Sequence, residues 1–119
     1  MSEAPGLALT VERSEGVDLV RLSGELDMAN ADQLARALEA ASAPRVVLDL
    51  EALAYLDSAG IRAIDRAHRE LTEGGRVLAV VASRDSRAGW TFRVAGFGEG
   101  LVVESLEAGL GGGASAGQR

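Results

Sequence analysis

Two stretches near the start of the chain, Leu7-Ala8-Leu9-Thr10-Val11 and Val17-Asp18-Leu19-Val20-Arg21-Leu22, alternate apolar with other residues. A period of two marks a strand with one covered face, and Ser14-Glu15-Gly16 between them has the composition of a tight turn. An antiparallel pair is therefore predicted. After Gly24-Glu25-Leu26-Asp27 the period changes. Ala31, Leu34, Ala35, Leu38 and Ala41 recur at helical spacing, with Asn30 placed to cap the helix and Gln33 to complete a capping box. Pro44 ends that helix, and Val46-Val47-Leu48-Asp49-Leu50 reads as a strand covered on both sides, the kind found inside parallel sheets.

Leu53, Tyr55 and Leu56 carry the chain to a second amphipathic segment. There Ile61, Ile64, Ala67, His68 and Leu71 form one face while Arg62, Asp65, Arg66, Arg69, Glu70 and Glu73 face water, until Gly74-Gly75 stops the helix. Arg76 to Val81 is predicted as a strand and Asp85 to Ala95 as a less regular helix ending at Gly96. Leu101-Val102-Val103 is a short final strand, followed by a last turn through Leu106 and Ala108 capped by Ser105. Strands alternating with helices give an α/β fold whose sheet is parallel in its centre and antiparallel where the first two strands meet. The loops Gly24 to Asn30 and Leu53 to Ser58 each follow a strand and precede a helix, so both are expected at the same edge of the fold. Residues 1–110 read as one domain. Residues 111–119 have too little apolar content to offset their ordering entropy and are expected to form a flexible tail.

Composition narrows the possible chemistry. The 47% hydrophobic content closes a single core, but with 3% aromatic residues that core must be built mainly from Leu, Val, Ile and Ala. Trp90, Phe92 and Phe97 are assigned to it, with a partner patch as the alternative. A formal charge of −6 repels nucleic acid and anionic lipid at long range. All 12 basic residues are Arg, which removes the P-loop lysine, the Schiff-base lysine and the lysine that a phosphoaspartate site at Asp49 would need. With no Cys there is no thiol nucleophile, disulfide or cysteine metal site. No cofactor is expected. The first ten residues lack the pattern of a signal peptide and no apolar run is long enough to cross a bilayer, so the reading is a cytoplasmic protein without membrane insertion.

The segment Leu56-Asp57-Ser58-Ala59-Gly60-Ile61 lies where a buried strand gives way to a helix. Asp57 and Ser58 are good helix caps, and a helix start also offers unpaired N–H groups and a partial positive charge. A phosphate on Ser58 would then be held locally, which suits Ser58 to a reversible switch. A Ser58–His68 catalytic pair fails on distance, because ten residues of one helix rise about 15 Å. Without that base a hydrolase using Ser58 is disfavoured. Gly109-x-Gly111-x-x-Ala114 has the spacing of a dinucleotide motif but no helix after it.

Three stretches together resemble the STAS domain, and within it the small bacterial anti-sigma factor antagonists. They are Gly24-Glu25-Leu26-Asp27, the strand Val46 to Leu50 joined to Leu56-Asp57-Ser58-Ala59-Gly60-Ile61, and Gly96-Phe97 followed by Ser105-Leu106-Glu107-Ala108. The resemblance spans roughly residues 7 to 110. It implies a mostly parallel sheet with an antiparallel N-terminal pair, packed by helices, and a non-enzymatic regulator of transcription under stress. The implied partner is an anti-sigma factor with serine kinase activity. That kinase would phosphorylate Ser58, and a phosphatase would reset it. Asp27, Asp57, Ala59, Gly60 and Arg62 would contact the partner around Ser58. Many relatives carry a second Ser or Thr where this chain has Ala59, which leaves one acceptor. The alternative within the same fold is an accessory subunit of a membrane transporter or of a stress-sensing assembly.

Overall fold

The computed structural model describes residues 6–111, so the tail expected over 111–119 lies, from residue 112 on, outside the described residues. Five strands form one sheet in the order β1 (Leu7–Ser14), β2 (Val17–Leu26), β3 (Arg45–Leu56), β4 (Val77–Val81) and β5 (Val102–Val103). Only β1 and β2 are antiparallel; every other pair is parallel. Gly16 closes the β1–β2 turn at φ 79°, a conformation that glycine adopts without a Cβ clash. The α/β expectation holds, with the antiparallel pair at the N-terminal end.

Helices α1 (Ala31–Ala40), α2 (Ser58–Glu73) and α3 (Arg87–Ala95) bury their apolar residues on one sheet face. Leu34 and Leu38 of α1, Ile64 and Leu71 of α2 and Phe92 of α3 meet Val20, Leu22, Leu48, Leu50 and Val80 there. The other face is thinner: Leu19, Val47 and Val81 are covered by Leu106 of the short helix α4 (Leu106–Gly109). Ser105 caps α4, its hydroxyl accepting the Ala108 N–H at 3.2 Å, as the sequence reading expects.

The central strands run further than the period of two indicates. Gly24 to Leu26 extend β2, and Leu53 to Leu56 extend β3, where loops are expected. Leu50, Leu53 and Leu56 are three residues apart, which in a regular strand would put Leu53 on the wrong face. Two register shifts along the β2–β3 ladder add residues to β3 and return all three leucines to the main core. By the end of the ladder Leu26 stands opposite Leu56.

One buried carboxylate ties the opposite end together. Asp18 is 3% exposed, and one oxygen accepts the Ser42 and Ala43 N–H groups at 2.9 and 3.1 Å. Arg76 donates to the carbonyls of Ala41 and Ala43, closing the α1–β3 connection from the other side. The Ala43 N–H holds the Asp18 carboxyl below its ordinary pKa, opposed by burial and aided by the Ser42 N–H and the charges of Arg13 and Arg76. Among the described residues no helix is long and apolar enough to cross a membrane.

Candidate functional site at the start of helix α2

Because β2 and β3 are parallel and end in register, the residues after them leave the sheet side by side. The Asp57 N–H donates to the Leu26 carbonyl at 3.2 Å, which joins the two exits directly. The expected same-side emergence of these segments therefore holds, although the first begins three and the second four residues later than expected.

Asp57, not Ser58, is the N-cap of α2. Its backbone is extended (φ −112°, ψ −175°), and its Oδ1 accepts the Ala59 and Gly60 N–H groups at 2.9 and 3.2 Å. Ser58 is the first helical residue and is exposed. This corrects the expectation that the helix mouth would hold a phosphate on Ser58. Two of its N–H groups are already taken by a carboxylate, and that charge faces the incoming one. Gly60 is buried where α2 touches the strand ends; a Cβ there would lie 2.6 Å from Leu56 Cδ1 and 2.9 Å from Leu26 Cγ. Gly60 thus sets how closely the helix start approaches the sheet. Arg62, exposed, is one turn beyond Ser58 on the same side of α2.

The β2–α1 turn is built differently from the expected capping box. Asn30 makes no side-chain cap bond to the helix. Its Oδ1 accepts the Asp27 N–H at 3.0 Å and its Nδ2 donates to the Glu25 carbonyl at 2.9 Å, so the side chain reaches back toward β2. Gln33 instead reaches the Leu7 carbonyl at 3.5 Å. The backbone carbonyl of Asp27 starts α1 by accepting the Ala31 N–H at 2.9 Å, and its Oδ1 accepts the Ala29 N–H at 2.9 Å. The physical reason is reach: a residue at the very end of β2 has its own turn to satisfy, and Asn30 does that work first.

This turn projects Met28, 79% exposed, which the sequence reading passed over. Its signal was present: an apolar residue in a turn, outside both the strand and helix periods. Behind the two mouths a groove of about 1000 Å³ runs between α1 and α2, with Ala31, Ala35, Ala59, Arg62 and Arg66 along it. Asp27, Asp57, Ser58, Ala59, Gly60 and Arg62 are thus drawn onto two adjoining segments, with Gly60 beneath the surface. His68, part-buried, is far along α2. The aromatic assignment divides. Phe92 is buried and packs on Phe97 with ring centroids 5.4 Å apart, whereas Trp90 is 50% exposed and is not core, because it lies on the side of α3 facing away from the sheet.

The comparisons with known proteins agree with this geometry. A relative, the anti-sigma F factor antagonist of Paenibacillus polymyxa, is 33% identical over 78 residues, covering 62% of this chain and 67% of that protein. The crystal structure of an anti-sigma factor antagonist from Mycobacterium paratuberculosis is 27% identical with a TM-score of 0.78, covering 92% of this chain and 96% of the other. The anti-sigma factor antagonist SpoIIAA in its unphosphorylated form, 19% identical with a TM-score of 0.70 over 92% of this chain and 97% of its own, shares the fold. The family model of the STAS domain matches residues 8–105, and the chain belongs to that family.

Proposed function

We propose that this chain is an anti-sigma factor antagonist: it binds an anti-sigma factor with serine kinase activity through the surface around Ser58, and phosphorylation of Ser58 releases that partner. The observation that carries the reading is the exposed Ser58 hydroxyl on the first turn of α2, beside an Asp57 carboxylate that already fills the helix mouth. The relative from Paenibacillus polymyxa, named as an anti-sigma F factor antagonist, supports the assignment of partner.

In the transfer step the Ser58 oxygen bonds to the γ-phosphorus of ATP, the bond to the bridging oxygen breaks, ADP leaves and the hydroxyl proton passes to a base on the kinase. The chain is the substrate here. A phosphate adds a charge of about −1.5 to −2. A free helix terminus would return roughly 0.3–1 kcal/mol to a nearby anion, but Asp57 already uses those N–H groups. Arg62, one turn away, is exposed and screened by water. The free protein tolerates the dianion because it remains hydrated. A partner closing over it must strip that water, at a cost of several kcal/mol. A loss of about 3 kcal/mol already weakens binding some hundredfold. A phosphatase then restores the binding form.

The test is to incubate the chain with the anti-sigma kinase and ATP and to measure intact mass. One phosphoryl group is expected, absent in Ser58→Ala. Ser58→Asp should keep its far-ultraviolet circular dichroism and lose about a hundredfold in affinity. Phosphorylation elsewhere, or Ser58→Asp binding as tightly as the parent, overturns the proposal.

A further inference from the structure

Helix α3 carries a surface that the Ser58 switch does not use. Its inner side buries Ala88, Gly89 and Phe92. On its outer side Trp90 is 50% and Val94 68% exposed. At 3.6 residues per turn, Arg93, Trp90, Val94 and Arg87 occupy one arc of about 120°. The Arg87 guanidinium lies over the Trp90 ring, 5.4 Å from its centroid. Arg93 Nη1 donates to the Arg84 carbonyl at 2.8 Å, which holds the guanidinium in place and leaves its other N–H donors for a ligand. Among the described residues neither Arg87 nor Arg93 is paired with a carboxylate.

This arrangement runs against the rest of the molecule. The chain has 18 acidic and 12 basic residues, yet α3 contains two arginines and no acid. Asp85 and Glu99, which flank α3 in the chain, bound the basic zone. Trp and Arg are the side chains most often dominant at protein interfaces, because each combines large contact area with a polar or charged handle. Beside the arc, a cavity of about 340 Å³ opens between α3 and β5, lined by Phe92, Phe97 and Val102, by Arg84 and Arg93, and by Glu99 and Glu104, so the basic zone ends there and the docking face is the outer arc itself.

We infer that the outer face of α3 docks an acidic segment of a protein partner, carboxylates against Arg87 and Arg93 and an apolar side chain against Trp90 and Val94. Local charge complementarity selects this occupant. Nucleic acid needs a long basic track and a membrane an extended apolar or polybasic surface, whereas α3 offers only two arginines beside two exposed apolar side chains. The inference stands on α3 alone and does not require the Ser58 switch.

Trp90 is the only tryptophan in the chain, so its emission reports on this face directly. The probe is a short tryptophan-free peptide of glutamates around one leucine and one phenylalanine, titrated into the full chain. Expected are a saturating blue shift below about 1 mM peptide, a roughly tenfold weaker affinity in the double variant Arg87→Gln/Arg93→Gln, and weakening by salt. The glutamine version of the peptide should not bind, and Ser58→Asp should bind it unchanged. Loss in Ser58→Asp would place the peptide at the switch and overturn the α3 assignment. So would an unmoved Trp90 emission at 1 mM or an unchanged affinity in the arginine variant, with circular dichroism confirming its fold. A shift produced by raising protein concentration alone, or by phosphatidylglycerol vesicles alone, would replace the acidic segment with a second copy or a membrane.

Discussion

Replacing Gly60 with alanine tests the packing that positions Ser58. In a solvent-exposed helix, glycine to alanine stabilises by up to about 1 kcal/mol. Here the added Cβ meets Leu56 Cδ1 at 2.6 Å and two carbons of Leu26 at 2.9 and 3.0 Å. Neither leucine has room to retreat, since Leu26 is 0% and Leu56 5% exposed. Overpacking of a filled core costs about 1–3 kcal/mol, so with up to about 1 kcal/mol returned by propensity the net expectation is a destabilisation of up to about 2 kcal/mol. That is a sizeable part of the roughly 5–15 kcal/mol that holds such a domain. Urea denaturation followed by circular dichroism should give a lower midpoint at unchanged slope. Gly74→Ala is the control: its Cβ would meet only two carbonyl oxygens at 3.6 and 3.7 Å, and the change should stay within about 0.5 kcal/mol. A Gly60→Ala protein more stable than the parent, as in an exposed helix, would refute the claim that Gly60 sets the approach of α2.

Two more outcomes are expected. The Asp18 carboxyl titrates below its ordinary value in the folded chain, first because of the Ala43 N–H, so the folded state binds that proton more weakly than the unfolded one. Its contribution is complete above the unfolded value of 3.8 and disappears as pH falls through the lower folded value. Asp18→Asn should therefore be less stable near neutrality, by about 1.5–3 kcal/mol for its charged hydrogen bonds, and should lose stability less steeply between pH 5 and strong acid. Parallel acid-unfolding curves for the two proteins would contradict this. Met28→Ala, at an exposed turn, should leave stability within about 0.5 kcal/mol and lower partner affinity about tenfold in calorimetric titration; unchanged affinity would exclude that turn from the interface.

The linear chain already determined the number and order of its main elements, because periods of two and 3.6 are local properties. The stripes Leu34 to Leu38 and Ile64 to Leu71 bury as their spacing requires, whereas Val17 to Leu22, expected to have one covered face, is covered on both, with Val20 and Leu22 in the main core and Leu19 on the other side. It also determined that a single hydroxyl stands at the β3–α2 junction, since Asp57, Ser58 and Gly60 are a local capping signal. Tertiary structure decided what depends on partners distant in sequence. The β2–β3 ladder extended both strands to Leu26 and Leu56 and, through its two register shifts, kept Leu53 inside. The backbone needs of the Asp27 turn, not the helix end, claimed the Asn30 side chain. Asp18 became an anchor only once the α1–β3 connection folded over it, and Trp90 stayed outside because α3 had already turned Phe92 toward the sheet. Local pattern sets which face a residue prefers; only the packed sheet sets which hydrogen-bonding groups are still unclaimed when that face is buried.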